Sequence, residues 1–136
     1  MIRPMEEKDV AAAVEINVTE FGSDRAFAEK KFATAFAGSA ASFAAEEDGK
    51  VVGYVIALPK PLSWTPGTAY IQLLGVRRDQ RGKGLGDSLM EGCLEELREK
   101  GFKNVEIVVP VERQAALGLY RKYGFRTADY KLKKKL

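Results

Sequence analysis

The sequence contains no histidine and only one cysteine, Cys93, among its 136 residues. The absence of histidine excludes a Ser/His/Asp or Cys/His catalytic set within this chain, and it excludes a histidine-ligated metal site. A single cysteine excludes an intrachain disulfide and a zinc site built from thiolates. We therefore expect a chemistry that uses neither an imidazole nor a metal ion.

The sequence also has no extended apolar segment. No apolar stretch approaches the roughly 20 residues that cross a bilayer, and residues 1–7 lack the apolar segment of a signal peptide. With 46% hydrophobic and 30% charged residues, the composition is that of a globular protein with a real core. These observations predict one domain over residues 1–136, located in the cytoplasm and without a membrane partner.

The excess of positive over negative charge is small. Lysine and arginine number 22 against 19 aspartate and glutamate, and the resulting net charge of +3 is concentrated in Lys131, Lys133, Lys134 and Lys135. A basic tail can contact nucleic acid, but such a run is more often a solvated strand or terminus. The charge pattern therefore does not favour a nucleic-acid partner.

The periodicity of apolar residues changes several times along the chain and predicts ten elements. Helical spacing and glycine stops indicate helices, while β-branched runs and the Asp48-Gly49 turn indicate strands and a hairpin. The predicted order is a strand at 1–3, helices at 6–18 and from Ser23 or Asp24 to Gly38, strands at 40–47, 50–58 and 69–76, a helix at 85–100, a strand at 105–109, a helix at 112–123 and a strand at 127–136. This order predicts an α/β (α+β) fold with a mixed sheet flanked by helices.

A glycine-rich turn lies between the predicted strand at 69–76 and the long helix that follows. Gly82, Gly84 and Gly86 alternate there with Lys83 and Leu85. Glycines let the main chain approach a ligand, and the first N–H groups of a helix favour an anion such as phosphate. The spacing fits neither a P-loop, because no Ser or Thr follows the Gly-Lys pair, nor a dinucleotide fingerprint, because the third glycine is missing.

The pattern that does fit is Arg-x-x-Gly-x-Gly, formed by Arg81, Gly84 and Gly86. A second motif, Ala116-x-x-Leu119-Tyr120-x-x-x-Gly124-Phe125, follows at 116–125, and the opening at 2–9 is also similar to family openings. With these motifs the sequence resembles the GNAT superfamily of acyl-CoA-dependent N-acetyltransferases over nearly its whole length. The resemblance implies the GNAT fold, with a mostly antiparallel sheet, and acetyl-CoA as the acetyl donor.

The resemblance also implies where coenzyme A binds. The pyrophosphate would rest on the main-chain N–H groups of the turn, and the pantetheine arm would pair with the preceding strand, whose N–H would also hold the thioester oxyanion. The residues so implied are Leu74, Gly75, Val76, Arg81, Gly82, Lys83, Gly84, Leu85 and Gly86. Independently of the family, preorganised N–H donors at a helix start can bind a pyrophosphate without a metal ion.

Tyr120 falls on the tyrosine that the family uses to protonate the departing thiolate, and its phenol is a plausible donor to a thiolate of comparable basicity. The alternative is a core tyrosine, the role we favour for Tyr123. Arg113 stands where many relatives have an asparagine; we expect it to reach a coenzyme A phosphate, or else to point to water. Leu119 and Phe125 are expected to be packing residues in either case.

Many relatives in the family that the sequence resembles carry a basic carboxylate at one of two strand positions. This chain has Gln72 and Val108 at those positions, so neither holds a carboxylate. We expect Gln72 to take part in catalysis by holding a water molecule together with strand carbonyls. A protein base would otherwise have to come from another carboxylate, and the candidates are Glu106, Glu46, Glu47 and Glu20, although each lone carboxylate is more commonly a surface residue.

Two further residues call for an interpretation. Cys93 lies on the apolar face of the long helix, which predicts a buried, inert thiol. Trp64 lies in a proline-rich loop and has three open roles, namely capping the core, lining the acceptor site and contacting a second copy in a homodimer.

The sequence thus predicts an N-acetyltransferase that moves the acetyl group of acetyl-CoA directly to a primary amine. The acceptor, a protein N-terminus, a lysine or a small-molecule amine, is left open. A non-catalytic acyl-CoA-binding module of the same fold is the first alternative. A small nucleic-acid-associated protein with a basic C-terminus is the second, and binding to duplex DNA that weakens with salt would support it.

Overall fold

The computed structural model describes all 136 residues and contains nine of the ten expected elements in the expected order. A short 3-10 turn, Arg78–Gln80, precedes the long helix. The elements are β1 (Ile2–Pro4), α1 (Asp9–Phe21), α2 (Arg25–Ala37), β2 (Ala41–Glu47), β3 (Lys50–Pro59), β4 (Thr68–Val76), α3 (Leu85–Glu99), β5 (Asn104–Ile107) and α4 (Gln114–Lys122).

The strands form one mixed sheet in the order β1-β2-β3-β4-β5, which confirms the predicted fold class. The first four strands are antiparallel neighbours, and only β4 and β5 are parallel. The predicted hairpin between β2 and β3 turns at Asp48 and Gly49, both of which have positive φ. Two successive residues with positive φ are what a tight two-residue hairpin turn requires.

The two faces of the sheet carry separate cores. The side chain of Val55 on β3 packs with Leu89, Cys93 and Leu97 of α3. Its neighbour Tyr54 points to the opposite face and packs with residues of α1 and α2. Helices α1 and α2 therefore cover one face of the sheet, while α3 covers the other.

The parallel ladder between β4 and β5 is short. It starts at Thr68 and Asn104 and ends with the pair Ile71 and Ile107. Beyond Ile71, β4 continues to Val76 beside β3 but has no partner on its other edge. The two strands thus diverge and open a gap in the sheet.

The strand predicted at 127–136 is wrong. Residues after Phe125 form no strand, and the apolar members of the alternating pattern, Tyr130 and Leu132, are exposed. Alternation indicates which side chains share a face, but a strand also needs a neighbouring edge and a layer that covers its apolar side. This segment pairs with no strand and is covered by no layer, and its lysines lie in solvent.

None of the helices has the length and apolar character required to cross a membrane. The structure also contains no cluster of three or more cysteine, aspartate or glutamate side chains that could hold a metal ion.

Candidate active site

The gap between β4 and β5 forms a cavity with a volume of about 720 Å³. Its lining comes from the ends of α1 and β4, the glycine turn, the start of α3, the segment after β5 and α4. Eleven of the twelve predicted site residues line it: Gln72, Leu74, Gly75, Val76, Arg81, Gly82, Gly84, Leu85, Gly86, Arg113 and Tyr120. The structure therefore brings the two sequence motifs together around one cavity.

Lys83 is the predicted site residue that does not line the cavity. Its ammonium group donates a hydrogen bond to the Gln80 side chain at 2.8 Å. It lies one residue from Gly82 and Gly84, so its positive charge still belongs to the turn.

The free edge of β4 presents backbone groups to the cavity. The N–H of Arg77 donates to the carbonyl of Val52 on β3 at 2.8 Å, so the Val76 carbonyl, in the same peptide unit, points away from β3. Alternate residues of a strand direct their backbone groups to the same edge, and hence Leu74 and Val76 both face the gap. The Val76 carbonyl accepts a hydrogen bond from Nε of Arg81 at 3.0 Å.

The glycine turn is held open by two residues in the left-handed region. Gly82 has a φ of 82° and Gly84 a φ of 80°, and a Cβ at either position would meet no atom within 4 Å. Gly84 is the N-cap of α3, with no side chain to satisfy the first N–H groups of the helix. The first intrahelical bond runs from Ser88 N–H to the Gly84 carbonyl, so the N–H groups before Ser88 remain available for an anion.

The third glycine of the turn lies beside α4. A Cβ at Gly86 would lie 3.5 Å from the Leu119 side chain of α4, which is ordinary van der Waals contact. Leu119 is half-buried and lines the cavity, and the packing role expected for it stays a prediction.

Asp87 fastens α4 to the start of α3. Its Oδ1 accepts from Nζ of Lys122 at 2.7 Å and from the hydroxyl of Tyr123 at 2.9 Å, and Tyr123 also donates to Glu91 at 3.0 Å. The bond from Lys122, followed by that from Tyr123, lowers the pKa of the Asp87 carboxyl. This carboxylate lines the cavity, yet its charge is already matched by a cation on α4.

Tyr120 lies in the cavity with its ring half-buried. The ring packs edge-to-face on Phe125, with a centroid distance of 6.1 Å, and this contact confirms the packing role of Phe125. Burial raises the pKa of Tyr120, and the nearby Arg113 partly opposes that rise. The phenol is therefore protonated at neutral pH and can donate a proton, in contrast to Tyr123, whose hydroxyl is committed to Asp87 and Glu91.

Gln72 is placed in the cavity by a β-bulge. The register between β3 and β4 steps from Ile56–Leu73 to Ala57–Ile71, so Gln72 is the extra residue on β4. A bulge bends its strand and redirects a side chain, and bulges are common beside active sites. The sequence alone does not reveal this bulge.

The four carboxylates considered as bases lie outside the cavity and have structural partners. Glu46 bonds to Arg3, and Glu47 pairs with the N-terminal ammonium. Glu20 accepts from the Arg78 N–H at 3.2 Å, and Glu106 accepts from Lys60. Asp87 is thus the one carboxylate that lines the cavity, and it lies at the glycine turn.

Gly75 and Tyr54 form a close contact that sequence analysis missed. A Cβ at Gly75 would lie 2.6 Å from the hydroxyl oxygen of Tyr54. The hydroxyl accepts a hydrogen bond from Nδ2 of Asn17 at 3.3 Å, and burial raises its pKa. Gly75 is therefore required for the tyrosine to pass across the strand on the α1 side of the sheet.

Arg113 reaches across the cavity. It is the N-cap of α4, and its guanidinium carbon lies 4.4 Å from the centroid of the Phe21 ring at the end of α1. Phe21 was not expected at the site, because nothing in the local sequence distinguishes it from a core residue. The binding of a coenzyme A phosphate by Arg113 stays a prediction.

The two remaining residues lie away from the cavity. Cys93 is fully buried on α3, and burial raises the pKa of its thiol to about 12, in agreement with the expected inert thiol. Trp64 is fully exposed in the loop between β3 and β4, and it neither caps the core nor lines the cavity.

Comparisons with known proteins agree with this geometry. The model of the acetyltransferase (GNAT) family matches residues 10–125. Mycothiol acetyltransferase from Clavibacter sepedonicus is 34% identical over 85 residues, which are 62% of this chain and 26% of that protein. The chain thus spans about a quarter of that relative's length.

Solved structures give the same fold. The ribosomal-protein-S18-alanine N-acetyltransferase from Escherichia coli matches with a TM-score of 0.79 and 26% identity, covering 95% of this chain and 79% of that one. AAC(6')-Iy in complex with the bisubstrate analog CoA-S-monomethyl-acetylneamine matches with a TM-score of 0.81, covering 100% and 97%. Its 15% identity shows a likeness of fold alone.

Proposed function

The chain belongs to the GNAT acetyltransferase family, and we propose that it transfers the acetyl group of acetyl-CoA directly to a primary amine at the gap between β4 and β5. The observation that carries the proposal is the convergence of the glycine turn, the free edge of β4 and Tyr120 on one cavity. The proposed unit is a single domain formed by residues 1–136.

The residues of the cavity fit acetyl-CoA. The open space at Gly84 and the free N–H groups at the start of α3 suit a pyrophosphate, with Arg81 and Lys83 adding positive charge. The backbone groups of Leu74 and Val76 suit the amides of the pantetheine arm, since they have no partner strand. This binding requires no metal ion.

The chemical step requires an electrophile, a neutral amine and a proton donor. The amine nitrogen bonds to the thioester carbon, and the carbon–sulfur bond then breaks. A free N–H of β4 near Leu74 to Val76 would stabilise the oxygen that becomes negative. Tyr120 would donate its proton to the departing thiolate.

The proton released by the amine has no carboxylate to receive it at the middle of the cavity. We propose that Gln72 and the carbonyls of β4 hold a water molecule that carries the proton to solvent. Binding and positioning then provide most of the rate enhancement, because holding amine and thioester in reactive contact alone lowers the barrier substantially.

A non-catalytic acyl-CoA-binding module of the same fold is a second candidate. The lack of a carboxylate base beside Gln72 favours it. The two candidates share the acetyl-CoA site and differ in whether an amine is acetylated.

The test is an acetyl-transfer screen. Purified protein is incubated with acetyl-CoA and a panel that contains peptides, lysine, polyamines, amino sugars and amino acids. Release of the coenzyme A thiol is followed together with the mass of the acetylated amine, and a reaction without amine measures hydrolysis. Amine-dependent release with a matching product supports the enzyme, whereas acetyl-CoA binding without any product supports the module.

A further inference from the structure

Arg113 is the one cation at the cavity that has no polar partner within the chain. It takes part in none of the ion pairs, and its guanidinium contacts the ring of Phe21. By comparison, Arg81 donates to the Val76 carbonyl and Lys83 donates to Gln80. The Arg113 guanidinium therefore keeps its hydrogen-bond donors free.

The position of this guanidinium separates it from the glycine turn. Phe21 ends α1, which packs on the face of the sheet opposite α3. The guanidinium carbon of Arg113 lies 4.4 Å from the centroid of the Phe21 ring, and Arg113 lines the same cavity as Tyr120. The guanidinium thus stands over the gap on the α1 side, while the phosphate-binding turn begins the helix on the other side.

A ligand that occupies the gap from the α1 side meets this charge. Under the proposed function, coenzyme A occupies the turn and the free edge of β4, and the amine has to approach from the remaining side. We propose that Arg113 selects an acceptor that carries a carboxylate close to its reactive amine. This inference rests on the proposed function and deepens it by assigning the charge class of the acceptor.

The chemistry of the pair supports the assignment. A guanidinium is planar, stays charged and binds a carboxylate through two parallel hydrogen bonds, and it can do so while its face rests on an aromatic ring. No carboxylate of the chain competes for it, since Asp87 is paired with Lys122 at the turn. An acceptor with a second positive charge would be repelled at the same place.

The carboxylate can come from two sources, which the test separates. The first arm compares alanine with alaninamide, so that only the α-carboxylate is changed. The second arm compares the peptide amides Ala-Asp and Ala-Asn, so that only a side-chain carboxylate is changed. For each pair, kcat/KM for the acid is divided by kcat/KM for the amide at fixed pH. The acid and the amide differ in amine basicity, but this difference is the same for all variants, so it cancels when the ratio of a variant is compared with that of the wild type.

Arg113→Gln is expected to lower this ratio about tenfold or more in at least one arm, as the loss of a hydrogen bond to a charged group predicts. Arg113→Lys keeps the positive charge but loses the planar guanidinium. Its acid-to-amide ratio should lie between that of Arg113→Gln and that of the wild type. Arg121→Gln is the matched control, because it removes the same charge from the same helix at a residue that does not line the cavity. Calorimetric titration of acetyl-CoA is run on all variants.

Each outcome decides the proposal. A lower ratio in the alanine arm identifies an α-carboxylate, and a lower ratio in the Ala-Asp arm identifies a neighbouring side chain. Ratios that stay unchanged in both arms overturn the inference, and weakened acetyl-CoA binding would then assign Arg113 to the cofactor. Transfer to other amines without measurable transfer to any of the four probes overturns the inference alone. No transfer to any amine by the wild type overturns the proposed function itself and this inference with it.

Discussion

The hydroxyl of Tyr54 occupies the space that a side chain at Gly75 would need. The hydroxyl oxygen lies 2.6 Å from the position of a Cβ on that residue, and the ring carbon that bears it lies 2.8 Å away. Tyr54 is fully buried and also packs edge-to-face on Phe32, so it cannot move aside without disturbing the core. The α1 side of β4 is thus packed closely at Gly75, behind the free edge that lines the candidate site.

Gly75→Ala is therefore expected to lower the free energy of unfolding by about 1–3 kcal/mol, the usual cost of overpacking a core. Denaturant unfolding measures the change. Gly118→Ala is the matched control, because Gly118 lies in α4 with no atom within 4 Å of its Cβ position. That substitution should stabilise the protein by about 0.5–1 kcal/mol through helix propensity. Equal effects of the two substitutions would contradict the contact.

Tyr120→Phe keeps the ring on Phe125 and removes the proposed proton donor. We expect kcat to fall by about 10²- to 10⁴-fold, with a smaller change in KM. Proton donation by water would reduce this fall. Tyr123→Phe is the companion variant, because the Tyr123 hydroxyl hydrogen-bonds to Asp87 and Glu91 and has no proposed role in acetyl transfer. It should lower stability more than kcat. A Tyr120→Phe protein with the kcat of the wild type would assign Tyr120 to packing.

The pH dependence of transfer should follow the acceptor. The chain has no histidine, burial raises the pKa of Cys93 to about 12, and burial also raises the pKa of Tyr120. A protonated amine cannot attack, so kcat/KM should rise with pH and level off above the pKa of the amine. The inflection is expected at about pH 8 for an α-amine and at about pH 10.4 for a lysine-like amine.

An inflection that stays fixed when the acceptor changes would reveal a protein base. Its disappearance on Glu20→Gln or Glu106→Gln would then identify that base. Neither carboxylate lines the cavity, so we expect neither substitution to move the profile.

The ion pair between Arg3 and Asp9 should make stability depend on acidity. Asp9 is buried, and its carboxylate accepts from Nη1 and Nη2 of Arg3 at 2.7 and 2.9 Å and from the Glu6 N–H at 2.7 Å. The bonds from Arg3 are the main cause of its lowered pKa. Because the folded pKa lies below the unfolded one, this stabilisation is complete above the ordinary aspartate range and is lost as pH falls through the folded pKa.

Asp9→Asn is therefore expected to cost about 2–3 kcal/mol at pH 7, and the difference from wild type should shrink below about pH 4. Glu15→Gln serves as the control, since its pair with Arg25 is exposed and should contribute little. Denaturant unfolding curves of each variant and the wild type, recorded at pH 7 and below about pH 4, measure the cost of each substitution. A cost for Asp9→Asn that is the same at both values would contradict the linkage.

Local patterns predicted most of this fold. The strand before the glycine turn, the long helix and the second motif all depend on residues close in sequence, and the structure has them where expected. The hairpin at Asp48 and Gly49 was predicted for the same reason. The strand at 127–136 was wrong because alternation does not indicate whether a segment pairs with a neighbouring strand.

The site was predictable where a motif marks it and not where distant segments meet. The glycine turn and Tyr120 carry such motifs. The contacts of Tyr54 with Gly75 and of Phe21 with Arg113 join segments that only the tertiary fold brings together. The bulge at Gln72 depends on the register between β3 and β4, which no local pattern specifies.

The most direct test of the account is the affinity for acetyl-CoA of Gly84→Val compared with Gly101→Val, measured by calorimetry. Both glycines have positive φ, 80° and 88°, and neither has an atom within 4 Å of its Cβ position, so both variants carry similar backbone strain. Only Gly84 faces the proposed phosphate site. We expect Gly84→Val to bind acetyl-CoA at least about tenfold more weakly while Gly101→Val binds as the wild type does. Unchanged affinity in Gly84→Val, with the fold retained by circular dichroism, would contradict the account.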